Sequence, residues 1–194
     1  MPKYIVQTLK AELDRHNIPL DSNKAKRWLI DKARSVSRVS FRELGPIAKL
    51  FQIGAMYFFI YDPKTKETLN YYDRLPLVFP IEMYNDGFLG INLHYLAPQM
   101  RVRLLNQLLP LVTNKKMDER TRLKLSYDLL NSAKRYELFR PCLKRYLYSQ
   151  VRSQFIKIDS SEWKIALYIP AERFTKTTKE QVFNRSMWQV RGKK

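Results

Sequence analysis

The side chains in this sequence best equipped for chemistry are cations. Between residues 134 and 152 they form a dense series, Lys134, Arg135, Arg140, Lys144, Arg145 and Arg152, with Tyr148 among them. On a helix from Pro141 to about Phe155, Lys144, Tyr148 and Arg152 recur at i, i+4 and i+8 along one face, and Leu143, Leu147 and Val151 form another. Such a cationic face can lie along phosphates: Lys and Arg release condensed counterions, and Tyr stacks on or hydrogen-bonds to sugar or base. The competing reading is a solvated helix face, weakened because few acids lie within four residues to pair with these cations. Lys115 and Lys116 in a linker, and Lys24 and Arg27 on a basic stripe with Arg34 and Arg38, extend the candidate nucleic-acid-binding set, and Arg101 and Arg103 are weaker additions. No recognition-helix motif accompanies them, so the expected contacts go to the backbone and not to base edges.

Catalytic constellations are thin by comparison. His16 falls at a helix end, His94 in a strand, and Cys142 is distant from both in sequence. Each reads first as a packed or solvated side chain, and no nucleophile elbow is present. Glu162-x-Lys164 has the form of a Mg²⁺-binding nuclease edge, with Asp62 or Asp73 as the second carboxylate, but the spacing is short and common by chance. A solvated turn explains it better. With 5 Gly, 2 His and 1 Cys the chain lacks phosphate-cradling loops, a zinc finger, a haem box and a disulfide framework. We therefore expect no catalytic residue, no metal and no cofactor.

Charge narrows the class further. The chain has 194 residues, 36 Lys+Arg against 18 Asp+Glu, and a formal charge of +18. The excess is uneven: +6 over residues 1–50, −2 over 51–98, +10 over 99–158 and +4 over 159–194. Concentrated positive charge repels itself unless something anionic is near, and nucleic acid is the commonest such partner, an acidic protein the next. A hydrophobic content of 45%, with 13% aromatics, is enough for a core and excludes a disordered basic tail. No run approaches the ~20 apolar residues of a membrane span, and no secretory signal is visible. The single cysteine fits a reducing compartment or indifference to redox state.

The elements that must position these cations follow from periodicity. Ile5, Leu9 and Leu13 mark an amphipathic helix over 3–16, and a second runs from about 22 to 37. A short helix near 41–50 is interrupted by Gly45-Pro46. Ala55–Tyr61, Leu69–Tyr72, Leu77–Phe79 and Phe88–Leu96 read as short aromatic strands, with a hairpin at Asn85-Asp86-Gly87 and a bulge or tight bend at Gly90. Asn92 and His94 share a face and are placed to bond neighbouring backbone. Helices are expected from Ala97-Pro98 through Leu109, over 119–132, over 141–155 and over Thr178–Val190. Phe155–Ile158 and Trp163–Ile169 read as a strand pair. The fold class is α+β: a small, strongly bent antiparallel sheet of SH3-like, partly open barrel topology, with an inserted and flanking helices. Residues 1–50 form a basic helical segment, and 51–194 an α+β domain with a basic helical insertion at about 97–155.

Three runs in this chain, YDPKTKETLNYYDRLPLVFPIEMYNDGFLGINLHYL, RYELFRPCLKRYLYSQVRSQFIKI and WKIALYIPAERFTKTTKEQVFNRSMW, resemble the DNA end protector or head-completion proteins of T4-like tailed phages. The resemblance spans about residues 55–190. It implies a non-enzymatic virion protein, present in the host cytoplasm during assembly, that binds duplex DNA without sequence preference and protects genome ends or completes the head and neck. Its partners would be DNA, its ends in particular, and other phage virion proteins, with no membrane; homo-oligomerisation stays open. Two alternatives stand beside it: a neck or baseplate subunit docking on acidic virion proteins, and a small Mg²⁺-dependent nuclease.

Overall fold

The computed structural model describes residues 52–153, 155–160, 163, 172 and 174–191, together with residues 11, 14, 15 and 17. Ala11, Asp14 and Arg15 are helical, as the first amphipathic stretch requires. The helix expected over 22–37, with Lys24 and Arg27, and the short helix over 41–50 lie outside the described residues.

Aromatic and β-branched side chains draw the centre of the chain into strands. β1 (Met56–Phe58), β2 (Tyr72–Asp73), β3 (Leu77–Tyr84) and β4 (Gly87–Asn92) come first. β3 and β4 form the hairpin that Asn85-Asp86-Gly87 signals. A bulge between Pro80 and Glu82 bends β3, and Gly90 sits opposite Pro80. A Cβ at Gly90 would press on Val78 and on the Phe79 carbonyl oxygen, so the bend admits only glycine there. The strand expected to run through Leu96 stops at Asn92, where the Asn92 side chain accepts the His94 amide and starts a 3₁₀ turn over Leu93–Tyr95.

Two helices follow. α1 (Pro98–Val112) opens with a proline, whose missing N–H costs nothing in a first turn. α2 (Glu119–Ala133) is capped by Asp118, whose carboxylate accepts the Thr121 amide at 2.7 Å. Both spans match the expected helices. A 3₁₀ turn over Glu137–Cys142 then leads into β5 (Leu143–Leu147), followed by a 3₁₀ turn over Tyr148–Gln150, β6 (Ile156–Ile158), β7 (Phe174–Thr175) and α3 (Lys179–Arg191).

The sheet corrects the basic helix expected from Pro141 to Phe155. Residues 143–147 are an edge strand paired with β4, from Leu143 opposite Ile91 to Leu147 opposite Gly87. The leucines four apart fit a helix, but a spacing of four is also a multiple of two, and Tyr146 decides between the periods. In a strand it turns into the aromatic cluster; in the helix it had no apolar face to join. β6 pairs with β1. Trp163 is helical and donates from Nε1 to the Ile158 carbonyl at 3.1 Å; residues 164–169 lie outside the described residues.

The five-stranded antiparallel sheet has the order β5-β4-β3-β1-β6, and β2 and β7 form a separate ribbon. The class is α+β, and the sheet does not close into a barrel. One face carries Phe58, Leu77, Phe79 and Ile91 against Leu105 and Leu108 of α1, Leu130 of α2 and Val182 of α3. The other gathers Tyr57, Phe59, Phe88 and Tyr146, with Tyr61 from the segment after β1. There Tyr146 meets Phe59 and Tyr61 edge to face, with centroids 5.2 Å and 4.9 Å away, and stacks on Phe88.

The β4–β5 contact leaves no room for a side chain at Gly87, where a Cβ would overlap the Tyr146 carbonyl oxygen. Gly87→Ala should therefore lower unfolding stability by about 1–3 kcal/mol or more, read from the urea midpoint.

Candidate nucleic-acid interface

Folding scatters the cations that the sequence places on one helix. Lys134, the C-cap of α2, reaches Glu82 on β3 at 3.9 Å. Arg140 pairs with Glu137 at 3.6 Å inside the same 3₁₀ turn. Arg145 contacts the Asp86 carboxylate in the β3–β4 turn, and its guanidinium lies 4.2 Å from the centre of the Tyr84 ring. Lys144 points away from Arg145, as strand alternation demands, and its ammonium sits 4.1 Å from the centre of the Tyr95 ring. Burial there pushes its pKa down. Tyr148 is half-buried against Phe88. Arg101 is buried and paired with Glu172.

Five of the singled-out cations stay exposed with no ion pair to a described carboxylate: Arg103, Arg135, Arg152, Lys115 and Lys116. Arg152 turns its guanidinium to the Ser149 carbonyl and the Gln150 amide oxygen. Lys115 and Lys116 lie in the turn that joins α1 to α2. Beside them are two cations that the sequence reading passed over, Arg120 and Lys124, exposed and one helical turn apart on α2. Their i, i+4 spacing was a readable signal. Of the nearby acids, Asp118 is occupied as the helix cap and Glu119 pairs with Lys157 at 3.4 Å. The end of the α1–α2 hairpin is thus the described surface where exposed cations are densest along the chain.

A buried polar network positions this hairpin. Asp73 is buried, yet its carboxylate accepts the Leu75 amide at 3.0 Å, Asn92 Nδ2 at 3.1 Å and His94 Nδ1 at 2.7 Å. Asn92 Nδ2 also donates to the Tyr146 hydroxyl at 3.0 Å. Burial alone would raise the Asp73 pKa, but His94 and these hydrogen bonds outweigh it and hold the carboxyl below its usual range. Just downstream, Arg101 donates from Nε to the Leu96 carbonyl at 2.8 Å and from Nη2 to the His94 carbonyl at 3.1 Å, pinning the first turn of α1. Burial likewise works to raise Glu172, and His94 and Arg101 pull it below the ordinary value. Burial lifts the Cys142 thiol to about 12, which keeps it neutral and unreactive near pH 7.

The two carboxylates named as partners for Glu162 are both engaged: Asp73 within this network, and Asp62 with Lys66 at 3.3 Å. Glu162 and Lys164 themselves lie outside the described residues. Among the described residues no group of three His, Cys, Asp or Glu side chains is arranged to hold a metal ion, and no helix is long and apolar enough to cross a membrane.

Fold and surface together define a strongly basic α+β protein with a group of exposed cations at the end of a helical hairpin beside a bent sheet. The chain belongs to the family described as Phage T4 terminal DNA protecting protein, whose model matches residues 6–190. That is a family of DNA protection and not an enzyme family. No curated protein and no solved structure matches the chain.

The buried network has a measurable signature. Asp73 and Glu172 have lowered pKa values in the folded state, so their contribution is fully present above the unfolded carboxylate value of about 4 and is lost as pH falls through the folded values. Asp73→Asn, which leaves His94 without its anionic partner, should cost about 3–5 kcal/mol at pH 7 and flatten the acid limb of a stability-against-pH curve.

Proposed function

We propose that this protein binds duplex DNA at genome ends through phosphate contacts and shields those ends from exonucleases. The observation that carries the reading is the exposed cluster of Lys115, Lys116, Arg120 and Lys124 at the end of the α1–α2 hairpin. Arg135 and Arg152 add to the phosphate-binding surface, and Lys24 and Arg27 would add the charge of the first fifty residues as a basic appendage. Lys134, Arg140 and Arg145 contribute less, because their carboxylate partners must first be displaced; exposed pairs of this kind are worth about 0–1 kcal/mol. Lys144 and Tyr148 serve the fold. Contacts of this type position a duplex and do not read its sequence.

On this reading the protein travels in the virion with the packaged genome, having assembled in the host cytoplasm beside other virion proteins. Completion of the head or neck would follow from the same placement.

Salt dependence tests the reading directly. Affinity for a short duplex should fall steeply between about 50 and 200 mM salt, with a log–log slope that reports the number of phosphates neutralised. Lys115→Ala with Lys116→Ala should reduce that slope by roughly 2 and weaken all sequences equally. A flat response, or no binding at about 50 mM salt, would sink the proposal.

A further inference from the structure

The phosphodiesters along a duplex are alike wherever they lie. An end adds its terminal groups and the bare face of the last base pair, a flat aromatic surface that internal pairs keep stacked. A protein that distinguishes ends has a use for an exposed ring with positive charge around it. Among the described residues, three large aromatics are exposed: Trp188 at 75%, Tyr136 at 65% and Tyr84 at 41%.

They are not equivalent. One face of Tyr84 is already covered by the Arg145 guanidinium. Tyr136 stands between Arg135 and Glu137, so an acid is its immediate neighbour. Trp188 lies on α3, where Val182 and Ser186 face inward and Gln181, Asn184, Arg185 and Trp188 face out. The acid of that helix, Glu180, is two turns away from Trp188. Arg185, one turn from Trp188, has its guanidinium 5.4 Å from the centre of the Tyr71 ring, which ties the outer face to the body of the protein. The sequence continues with the cations Arg191, Lys193 and Lys194. The indole is left mostly in water and is free to stack, and the neighbouring Arg185 suits an anionic polymer that also presents a flat π-face.

We propose that Trp188 stacks on the terminal base pair of duplex DNA, with Arg185 holding the adjacent phosphate. The inference rests on the DNA-end reading above but uses a different element, α3, so the two can fail separately. α3 then supplies the preference for ends, and the α1–α2 hairpin supplies affinity for any duplex. Stacking of one ring on a base is worth roughly tenfold in affinity.

The test compares the full chain on a short blunt-ended duplex and on the same duplex closed at both ends by hairpin loops. The native chain should bind the open duplex roughly tenfold more tightly. Trp188→Ala should bind both alike, at the affinity of the closed form, while Trp188→Phe, which keeps a ring, should retain most of the difference. Because Trp188 is exposed, neither variant should move the thermal midpoint, which controls for folding. If Trp188→Ala keeps the preference for open ends, or the native chain shows none, the stacking role is overturned. If the native chain binds neither duplex, the DNA-end reading itself is refuted.

Discussion

Asp73 is a carboxylate taken out of water, and its accommodation organises the rest of the molecule. Such burial costs several kcal/mol unless the charge is matched and its oxygens are bonded. The match comes from the nearby Leu75 amide and from two parts distant in sequence, Asn92 at the end of β4 and His94 in the turn beyond it. Asn92 carries the connection on to Tyr146 of β5, so a single carboxylate ties the β2 ribbon to two strands of the main sheet. It also fixes where β4 ends, and with it where α1 begins. Arg101, buried against Glu172, then holds that first turn by two backbone carbonyls. The direction of the cationic hairpin is set there, at the opposite end of α1 from its charges.

The excess of cations has to be read against burial and pairing. Lys134, Arg140 and Arg145 each find an acid, and these partly exposed pairs are weak enough for a phosphate to compete with the carboxylate. Lys144 is a different case: it lies over Tyr95 with its pKa depressed by burial, and freeing it would break core packing. The described surface is left with cations grouped on the helical hairpin, a sheet that carries little net charge, and α3 with its exposed indole.

Much of this was legible along the chain wherever one period alone could satisfy the apolar residues. Leu104, Leu105 and Leu108 recur at helical spacing and form α1; Asn85-Asp86-Gly87 makes the hairpin; Gly90 marks the bend that the bulge at Pro80 completes. Asn92 and His94 read as placed to bond neighbouring backbone, and the buried Asn92 side chain accepts the His94 amide. Legibility failed between 141 and 155, where leucines four apart fit both a helix and a strand and the basic residues between them seemed to define a helical face. The single cationic helix face went with it, because strand alternation sends Lys144 and Arg145 to opposite sides of the sheet.

The sequence by itself determined the quantities that add up locally: the net charge and its uneven distribution, the helices with an unambiguous period, the tight turns and the α+β class. Only the tertiary structure decided which cations remain available. That outcome depends on pairs such as Lys134 with Glu82 and Arg145 with Asp86, separated by tens of residues, and on whether β4 offers an open edge for residues 143–147 to join. Both are settled by non-local hydrogen bonding and burial, whose free energy exists only once the distant partners have met.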